Sequence, residues 1–540
     1  MKNRGADALL RAIRARGVAK IFTVSGNHVM PVFDAALDAG IDLIHARHEA
    51  ATVHMADAYA RVSGRVGIAL VTGGPGHANA VSALYTARMA EAPLVLVSGH
   101  APRRQLGMGA FQEMAQADVA APLVKAAWTC GNPADAARDA ARAIDIACTG
   151  RPGPVSLSVT SDALESIASS DTIAASSLAE PSLEDDVADA ILERLRDASR
   201  PLVIVGPASM TAHGSQHATA FEDASGVPVV GMESPRGIAD PSLGAFAEVL
   251  AQADCVLLVG KRLDFTLRFG KPAALAPDCL FLQIDAEDVE FVRSRIAVGE
   301  RLLLTTRASA HGALQALTAR APSLLRGVHA AWQQDVRTAI AYRPDEWNRE
   351  SSRSEDRLHP LDALRPLQRL LDSNHESVFV SDGGEFGQWA QACLHAPHRV
   401  INGMAGAIGS ALPYAIGARC ALPDVPIVAT LGDGTFGFHA SEIDTAARYA
   451  LPFLAVVGND ARWNAEYQIQ LREYGAGRLI GCELAPTRYD LVCGAFGGYG
   501  ERVTHAADMR DAVSRAHASR LPACVNVMID GIAAPTIARH

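Results

Sequence analysis

The apolar run Val425 to Leu431 ends in Gly432-Asp433-Gly434-Thr435, and one helical stretch later a second apolar run, Leu451 to Val457, ends in Asn459-Asp460. Two such strands joined through a helix lie parallel, and their C-terminal ends share the sheet edge where open α/β sheets bind ligands. Gly432 and Gly434 let the backbone come close to phosphate oxygens, and a helix starting near Phe438 is expected to point its N-terminus at them. Asp433 offers a hard oxygen to Mg²⁺, and Asp460 arrives at the same edge. A lone Gly-Asp-Gly is usually just a turn. Followed by a helix, a strand and an Asn-Asp pair, it reads as a clamp for Mg²⁺ and a diphosphate.

Short apolar strands alternate with helical stretches along the whole chain, the mark of parallel sheets covered on both faces. Strands are expected at Lys20–Val24, Val66–Thr72 and Pro93–Ser98 in a first unit. A second unit carries Leu202–Gly206, Val227–Gly231, Cys255–Gly260 and Leu280–Asp285. A third carries Val378–Ser381, Val425–Leu431, Leu451–Val457 and Cys524–Ile529. A Ser/Ala-rich stretch from Glu165 to Pro181 and a polar, Arg-rich one around Asp345–Arg357 separate them. The expected fold is therefore α/β, three doubly wound parallel-sheet domains spanning 1–165, 182–345 and 358–540.

Composition narrows the functional classes. A formal charge of −10 leaves no basic footprint for nucleic acid. Nine cysteines, an odd number without a CxxC pair, argue for reduced thiols in a cytoplasm rather than a disulfide scaffold or zinc site. The basic amphipathic stretch Met1 to Lys20 lacks the apolar core of a signal peptide, and no apolar run is long enough to span a membrane.

Arg47-His48-Glu49-Ala50-Ala51 follows a short apolar strand and opens a helix running through Met55, Ala58 and Tyr59. Glu49 alone reads as a solvated first-turn carboxylate favoured by the helix dipole. The helix behind it is nearly charge-free on its Ala51, Ala56 and Ala60 positions and so expected to be buried, and a buried carboxylate is either paired or raised in pKa, as a proton relay requires.

Arg47-His48-Glu49-Ala50-Ala51, the loop Thr72-Gly73-Gly74-Pro75-Gly76, the segment Ala110-Phe111-Gln112-Glu113 and the late Gly432-Asp433-Gly434 with Asn459-Asp460 together resemble the thiamine diphosphate (ThDP)-dependent decarboxylase and carboligase superfamily, over essentially the whole chain. The resemblance implies a pyrimidine-binding, a central and a diphosphate-binding domain in that order. It implies ThDP and Mg²⁺ as cofactors, with Glu49 bonding the aminopyrimidine so that the C2 proton of the thiazolium is removed. Gly403-Met404-Ala405-Gly406-Ala407-Ile408-Gly409 resembles the loop beneath the thiazolium. Ile408 would then hold the bent cofactor and the Gly406 carbonyl would meet its amino group, whereas the plain reading of these residues is a close-packed helix start. Gly432, Gly434, Thr435 and Asp460 complete the cofactor-binding set. Asp433, Asp460 and the Arg462 carbonyl would ligate the metal. The family usually has Asn where Asp460 stands, and Asn459 is the alternative ligand if the turn is shifted by one residue.

The residues expected over the thiazolium choose the reaction. Asn27 and His28, in Val24-Ser25-Gly26-Asn27-His28, make a setting similar to benzaldehyde lyase and to the cyclohexane-1,2-dione hydrolase type. Ala69-Leu70-Val71-Thr72, Gln112 and Trp463 also lean toward benzaldehyde lyase. The Ala110-Phe111-Gln112-Glu113 spelling and His77 look more like acetolactate synthase or the dione hydrolase. A neutral histidine near C2 could move the alkoxide proton, so His28 and His77 are a candidate acid/base pair, with Gln112 orienting a water or carbonyl; a structural role is the alternative reading of each. Trp463 reads as pocket wall or core packing.

The central unit has strand ends like those of nucleotide-binding segments, at Gly260-Lys261-Arg262-Leu263-Asp264 and Gln283-Ile284-Asp285, but no GxGxxG fingerprint. FAD therefore stays open without a motif, and the short stretch after Asp530 speaks against a lid over a CoA ester. The resemblance implies a C–C lyase/carboligase that forms or cleaves 2-hydroxy ketones, with acetolactate-type condensation of a 2-oxo acid, or hydrolysis of a cyclic dione, as alternatives. The expected partners are a small aldehyde, hydroxy ketone or 2-oxo acid and further copies of the chain. The resemblance implies a homodimer at least and a homotetramer as the full assembly, with no nucleic acid and no membrane.

Overall fold

The computed structural model describes residues 3–168, 180–325, 328–352 and 354–539, and most of the Ser/Ala-rich stretch read as a linker lies outside them. The first sheet holds β1 (Lys20–Thr23), β2 (Asp42–His45), β3 (Gly67–Val71), β4 (Leu94–His100), β5 (Ala127–Cys130) and β6 (Val155–Thr160) in the order β2-β1-β3-β4-β6-β5. The second holds β7 (Pro201–Val205), β8 (Val229–Gly231), β9 (Cys255–Val259), β10 (Leu280–Asp285) and β11 (Leu302–Arg307), ordered β11-β10-β9-β7-β8. The third holds β12 (Val378–Ser381), β13 (His398–Ile401), β14 (Ile427–Gly432), β15 (Leu454–Asn459), β16 (Tyr499–Val503) and β17 (Ala523–Met528), ordered β13-β12-β14-β15-β17-β16.

Every strand pairing within these sheets is parallel. The central strands are buried along their length because helices cover both faces, so the expected α/β class with three parallel sheets holds. The outer two sheets share one strand order. In each, the order reverses beside the first strand, which opens a crevice at the C-terminal ends of β1 and β3 and of β12 and β14.

The helix Glu49–Ser63 leaves the first sheet and packs on Ala411–Ala421 of the third, so that Ala51, Met55, Ala58, Tyr414, Ala415 and Ala418 belong to one core. A Cβ on Gly417 would stand 2.2 Å from the Met55 carbonyl oxygen, so only glycine allows this approach. Inside the contact, Arg61 donates to Asp57 at 2.7 Å and to the Ile401 carbonyl at 3.1 Å, and the Tyr414 hydroxyl donates to Asp57 at 3.0 Å. The amphipathic start of the chain forms the helix Gly5–Ala15 and buries Leu9, Leu10 and Ile13 in a second core of the first unit.

One local expectation is corrected. The helix after β14 spans Asp433–His439 and so begins at Asp433, not near Phe438. Gly432 is extended and hands the chain straight into the helix, and the Trp463 ring stands where a Cβ on Gly434 would fall, 2.6 Å away.

Candidate active site

At the crevice of the first sheet, Gly26 passes so close to Thr72 that a Cβ would lie 2.4 Å from its Cβ. The chain then turns through Asn27–Val29, leaving Asn27 exposed and burying His28. His28 Nδ1 lies 3.2 Å from the Thr72 hydroxyl, and Nε2 has no hydrogen bond among the described residues. The His28 ring stacks near Phe111, with centroids 6.2 Å apart. Burial first, and the neighbouring His100 second, hold its pKa below the ordinary histidine value, so His28 is neutral at pH 7. Gln112, half-buried in a left-handed backbone (φ 57°), lies against Gly74.

Glu49 stands in the first turn of its helix, half-buried rather than enclosed, because it faces outward at the surface of its domain while Ala50 to Val62 behind it are buried. The Asn79 amide donates to Glu49 Oε2 at 3.0 Å, and a Cβ on Gly76 would lie 3.5 Å from Oε1. Asn79 carried no motif that would single it out in the sequence. His77 is buried, with Nδ1 2.8 Å from Ser98 Oγ and Nε2 3.1 Å from the Gln116 carbonyl. Both ring nitrogens are engaged by the protein, and burial pushes its pKa down to about 4.

The second cluster gathers where β12, β14 and β15 end. Gly383, Glu385, Ile408, Gly432 to Thr435, Asp460, Trp463 and Asn464 line one cavity of about 80 Å³. Asp433 Oδ2 is buried without a hydrogen-bond partner among the described residues. Burial raises the Asp433 carboxyl to about 6 against the pull of nearby backbone N–H groups, and burial followed by the charge of Asp433 raises Asp460 to about 7. Two crowded carboxylates with an orphan oxygen fit a hard divalent cation. Among the described residues no group of three or more His, Cys, Asp or Glu could hold a metal.

Asn459 does not share this edge. Its amide donates to the Thr487 carbonyl at 3.0 Å and to Asn526 at 3.1 Å, and its oxygen accepts from the Ala461 amide at 3.3 Å. The Arg462 guanidinium stacks on Tyr467 at 4.2 Å. Thr435 donates its hydroxyl to the Gly432 carbonyl at 3.0 Å. Trp463 walls the cavity and packs on Phe438 at the same time.

The stretch Gly403 to Gly409 is a loop, and the helix starts only at Ala411. Gly409 (φ 90°) lies against Phe438, where a Cβ would come within 2.4 Å. Gly406 (φ 66°) turns the loop so that Ile408 emerges over the cavity, 36 % exposed. Asp382, unmarked in the sequence, holds the loop through the amides of Gly409 and Ala411. The tail after Asp530 also joins the site: Asn464 donates to the Ile532 carbonyl at 2.9 Å, and the Ala534 amide to Glu385 at 2.5 Å.

The central sheet does not fit a dinucleotide at its crevice. Arg151, from the first unit, fills the strand ends, paired with Glu91 and Asp285 and donating to the Gly260 carbonyl at 3.0 Å. Glu91 also accepts the Ala208 amide at 3.0 Å, taking a backbone donor that a phosphate would need. The cavity beside them is about 210 Å³, smaller than a drug-sized ligand needs.

Comparison with known families agrees with this geometry. Residues 3–119 match the model "Thiamine pyrophosphate enzyme, N-terminal TPP binding domain", 188–303 the central domain and 382–527 the C-terminal TPP binding domain. The acetolactate synthase large subunit IlvG of Mycobacterium tuberculosis is 31 % identical over 538 residues, covering 97 % of this chain and 95 % of the relative. Oxalyl-CoA decarboxylase of Escherichia coli (strain K12) is 29 % identical over 547 residues, covering 97 % and 95 %. 2-Hydroxyacyl-CoA lyase 2 of Danio rerio is 27 % identical over 550 residues, covering 92 % and 86 %. With carboxylates poised for a cation at one sheet edge, a glutamate at the matching edge of another, and these relatives along its whole length, the chain belongs to the thiamine diphosphate-dependent enzyme superfamily.

Proposed function

We propose that this protein is a ThDP- and Mg²⁺-dependent C–C lyase and carboligase acting on 2-hydroxy ketones and the aldehydes they come from, similar to benzaldehyde lyase. The observation that carries this reading is the placement of His28, buried with Nδ1 against the Thr72 hydroxyl and Nε2 left for a substrate oxygen. When bound, ThDP supplies a nucleophilic carbon and an electron sink for the carbanion formed beside a carbonyl. Glu49, steadied by Asn79, exchanges the proton of the aminopyrimidine. His28 gives or takes the proton of the substrate hydroxyl, while the Asn27 and Gln112 amides orient its carbonyl. His77 acts through packing, since both its nitrogens are already bonded. Asp433, Asp460 and the Arg462 carbonyl would hold Mg²⁺. Gly432, Gly434 and Thr435 would receive the diphosphate, and Ile408 and Gly406 would support the ring.

The substrate test is direct. Protein reconstituted with ThDP and Mg²⁺ should split an aromatic or aliphatic 2-hydroxy ketone into aldehydes, with Glu49→Ala as the blank. CO₂ released from pyruvate above that blank would instead favour acetolactate-type condensation of 2-oxo acids, the reading that the whole-length likeness to acetolactate synthases supports.

The assembly proposed is a homodimer at least, and a homotetramer in full. The cavity around Asp433 is lined only by residues 383 to 466, with none from the unit carrying Glu49. Exposed apolar residues flank both clusters, among them Met30 and Phe111 on one and Phe438 on the other. A site built from Glu49 of one chain and Asp433 of another accounts for both observations. The nine cysteines are free thiols, which suits a reducing cytoplasm.

A further inference from the structure

Arg47 and His48 form the turn between β2 and the helix that Glu49 opens, yet the groups that hold this turn come from the far end of the chain. The helix Glu442–Arg448 follows Asp433–His439 closely and places the fully buried Glu442 against the turn. Glu442 Oε1 accepts the amides of Arg47 and His48, each at 3.1 Å. Its Oε2 accepts the Arg47 amide at 3.2 Å and the Thr445 hydroxyl at 2.7 Å. The Tyr449 hydroxyl accepts the His45 amide at 3.0 Å, and Arg448 donates to the His45 carbonyl at 2.6 Å. His48 in turn caps the helix, its Nδ1 accepting the Ala50 amide at 3.1 Å.

Packing alone does not ask for a carboxylate here. Ile443 and Ala446 on the same helix already supply the apolar contact, and burying a charge is costly unless hydrogen bonds repay it. What the carboxylate adds is direction: it orients two successive peptide N–H groups at the point where the chain commits to the helix. We propose that Glu442 is a positioning residue for Glu49, fixing the peptides of Arg47 and His48 and thereby the place where the Glu49 carboxylate stands. The proposal rests on the reading of Glu49 as the group that exchanges the cofactor's proton. A displacement of about 1 Å at such a group is worth about 10²-fold in rate.

The test uses the full chain as Glu442→Ala and Glu442→Gln, with Glu49→Gln as control. Hydrogen–deuterium exchange of the cofactor-free protein reads the amides of residues 45–52. Proton exchange at C2 of bound ThDP, followed by NMR, reads the placement of Glu49. For Glu442→Ala, residues 45–52 should exchange at least about tenfold faster with the third sheet unchanged. C2 exchange should fall about 10²-fold while ThDP affinity stays within about threefold. Glu442→Gln keeps one acceptor and should fall between, and it decides alone if the alanine variant does not fold. Amide protection and C2 exchange both within about threefold of the parent protein would overturn the proposal. If Glu49→Gln itself leaves C2 exchange intact, the reading of Glu49 falls, and the amide exchange judges the hold of Glu442 by itself.

Discussion

The Gly409 amide donates to both carboxylate oxygens of Asp382, 3.0 Å from each, so one buried side chain fixes the loop that presents Ile408. The amides of Gly383 and Ala411 bond to the same carboxylate at 2.7 Å and 3.1 Å. Asp382→Ala strands these donors inside the protein, and each unsatisfied buried donor costs about 1–3 kcal/mol. A loss of about 3 kcal/mol in urea unfolding is expected, with a smaller loss for Asp382→Asn; a loss below about 1 kcal/mol would mean the loop holds itself.

Asp433 and Asp460 set a pH dependence whose sign follows from their raised carboxyls, about 6 and about 7. In the cation-free protein the folded state binds more protons than the unfolded state between roughly pH 4 and pH 7, so stability falls as pH rises through that window. ThDP with Mg²⁺ must displace those protons. The rise in melting temperature on adding both should therefore be larger at pH 8 than at pH 5.5, and an equal rise at the two pH values would count against a cation between these carboxylates. Asp433→Ala should lose ThDP at ordinary Mg²⁺.

Replacing His28 and His77 should have opposite signatures. His28→Ala should lower turnover about 10²–10⁴-fold with little change in stability, the range for a general acid/base. His77→Ala breaks the contacts to Ser98 and Gln116 and should cost about 1–3 kcal/mol of stability while turnover of the folded fraction stays within about tenfold. Kinetics and denaturation on both variants separate the roles.

Glu49→Ala and Asp433→Ala are each expected to be inactive. Refolded or co-expressed together, they should recover activity, because a mixed dimer has one site with both residues intact. No recovery from protein shown to contain mixed dimers would argue that each chain builds its own site.

Arg61 and Asp57 form a buried pair on the helix Glu49–Ser63 where it packs on the third unit, 6 % and 0 % exposed. Arg61→Ala leaves Asp57 and the Tyr414 hydroxyl facing each other in the core, and removing one partner of such a pair costs about 3–5 kcal/mol. Urea unfolding checks this, and a loss under about 1 kcal/mol would show that water or repacking relieves Asp57.

The sequence by itself determined the class of fold and the two edges where chemistry gathers. Its buried parallel strands, such as Ile427 to Leu431, broken only by Thr430, and Leu454 to Val457, are near-continuous apolar runs, and that pattern is local. Strands at sheet edges or with polar faces, such as Leu302–Arg307, His398–Ile401 and Tyr499–Val503, carry no such run and emerge only through pairing with a neighbour. The motif residues Glu49, Asp433 and Asp460 were legible because their spacing to strand ends is short. Which of Asn459 and Asp460 faces the cavity, and that His77 spends both nitrogens on Ser98 and Gln116, was decided by tertiary structure. So were the supports: Asp382 beneath Gly409, Asn79 beside Glu49, Glu442 under Arg47 and His48, and Arg151 in the central crevice. Most of their partners lie tens to hundreds of residues away, and a buried hydrogen bond leaves no periodicity in the chain, only a polar residue where an apolar one would have packed.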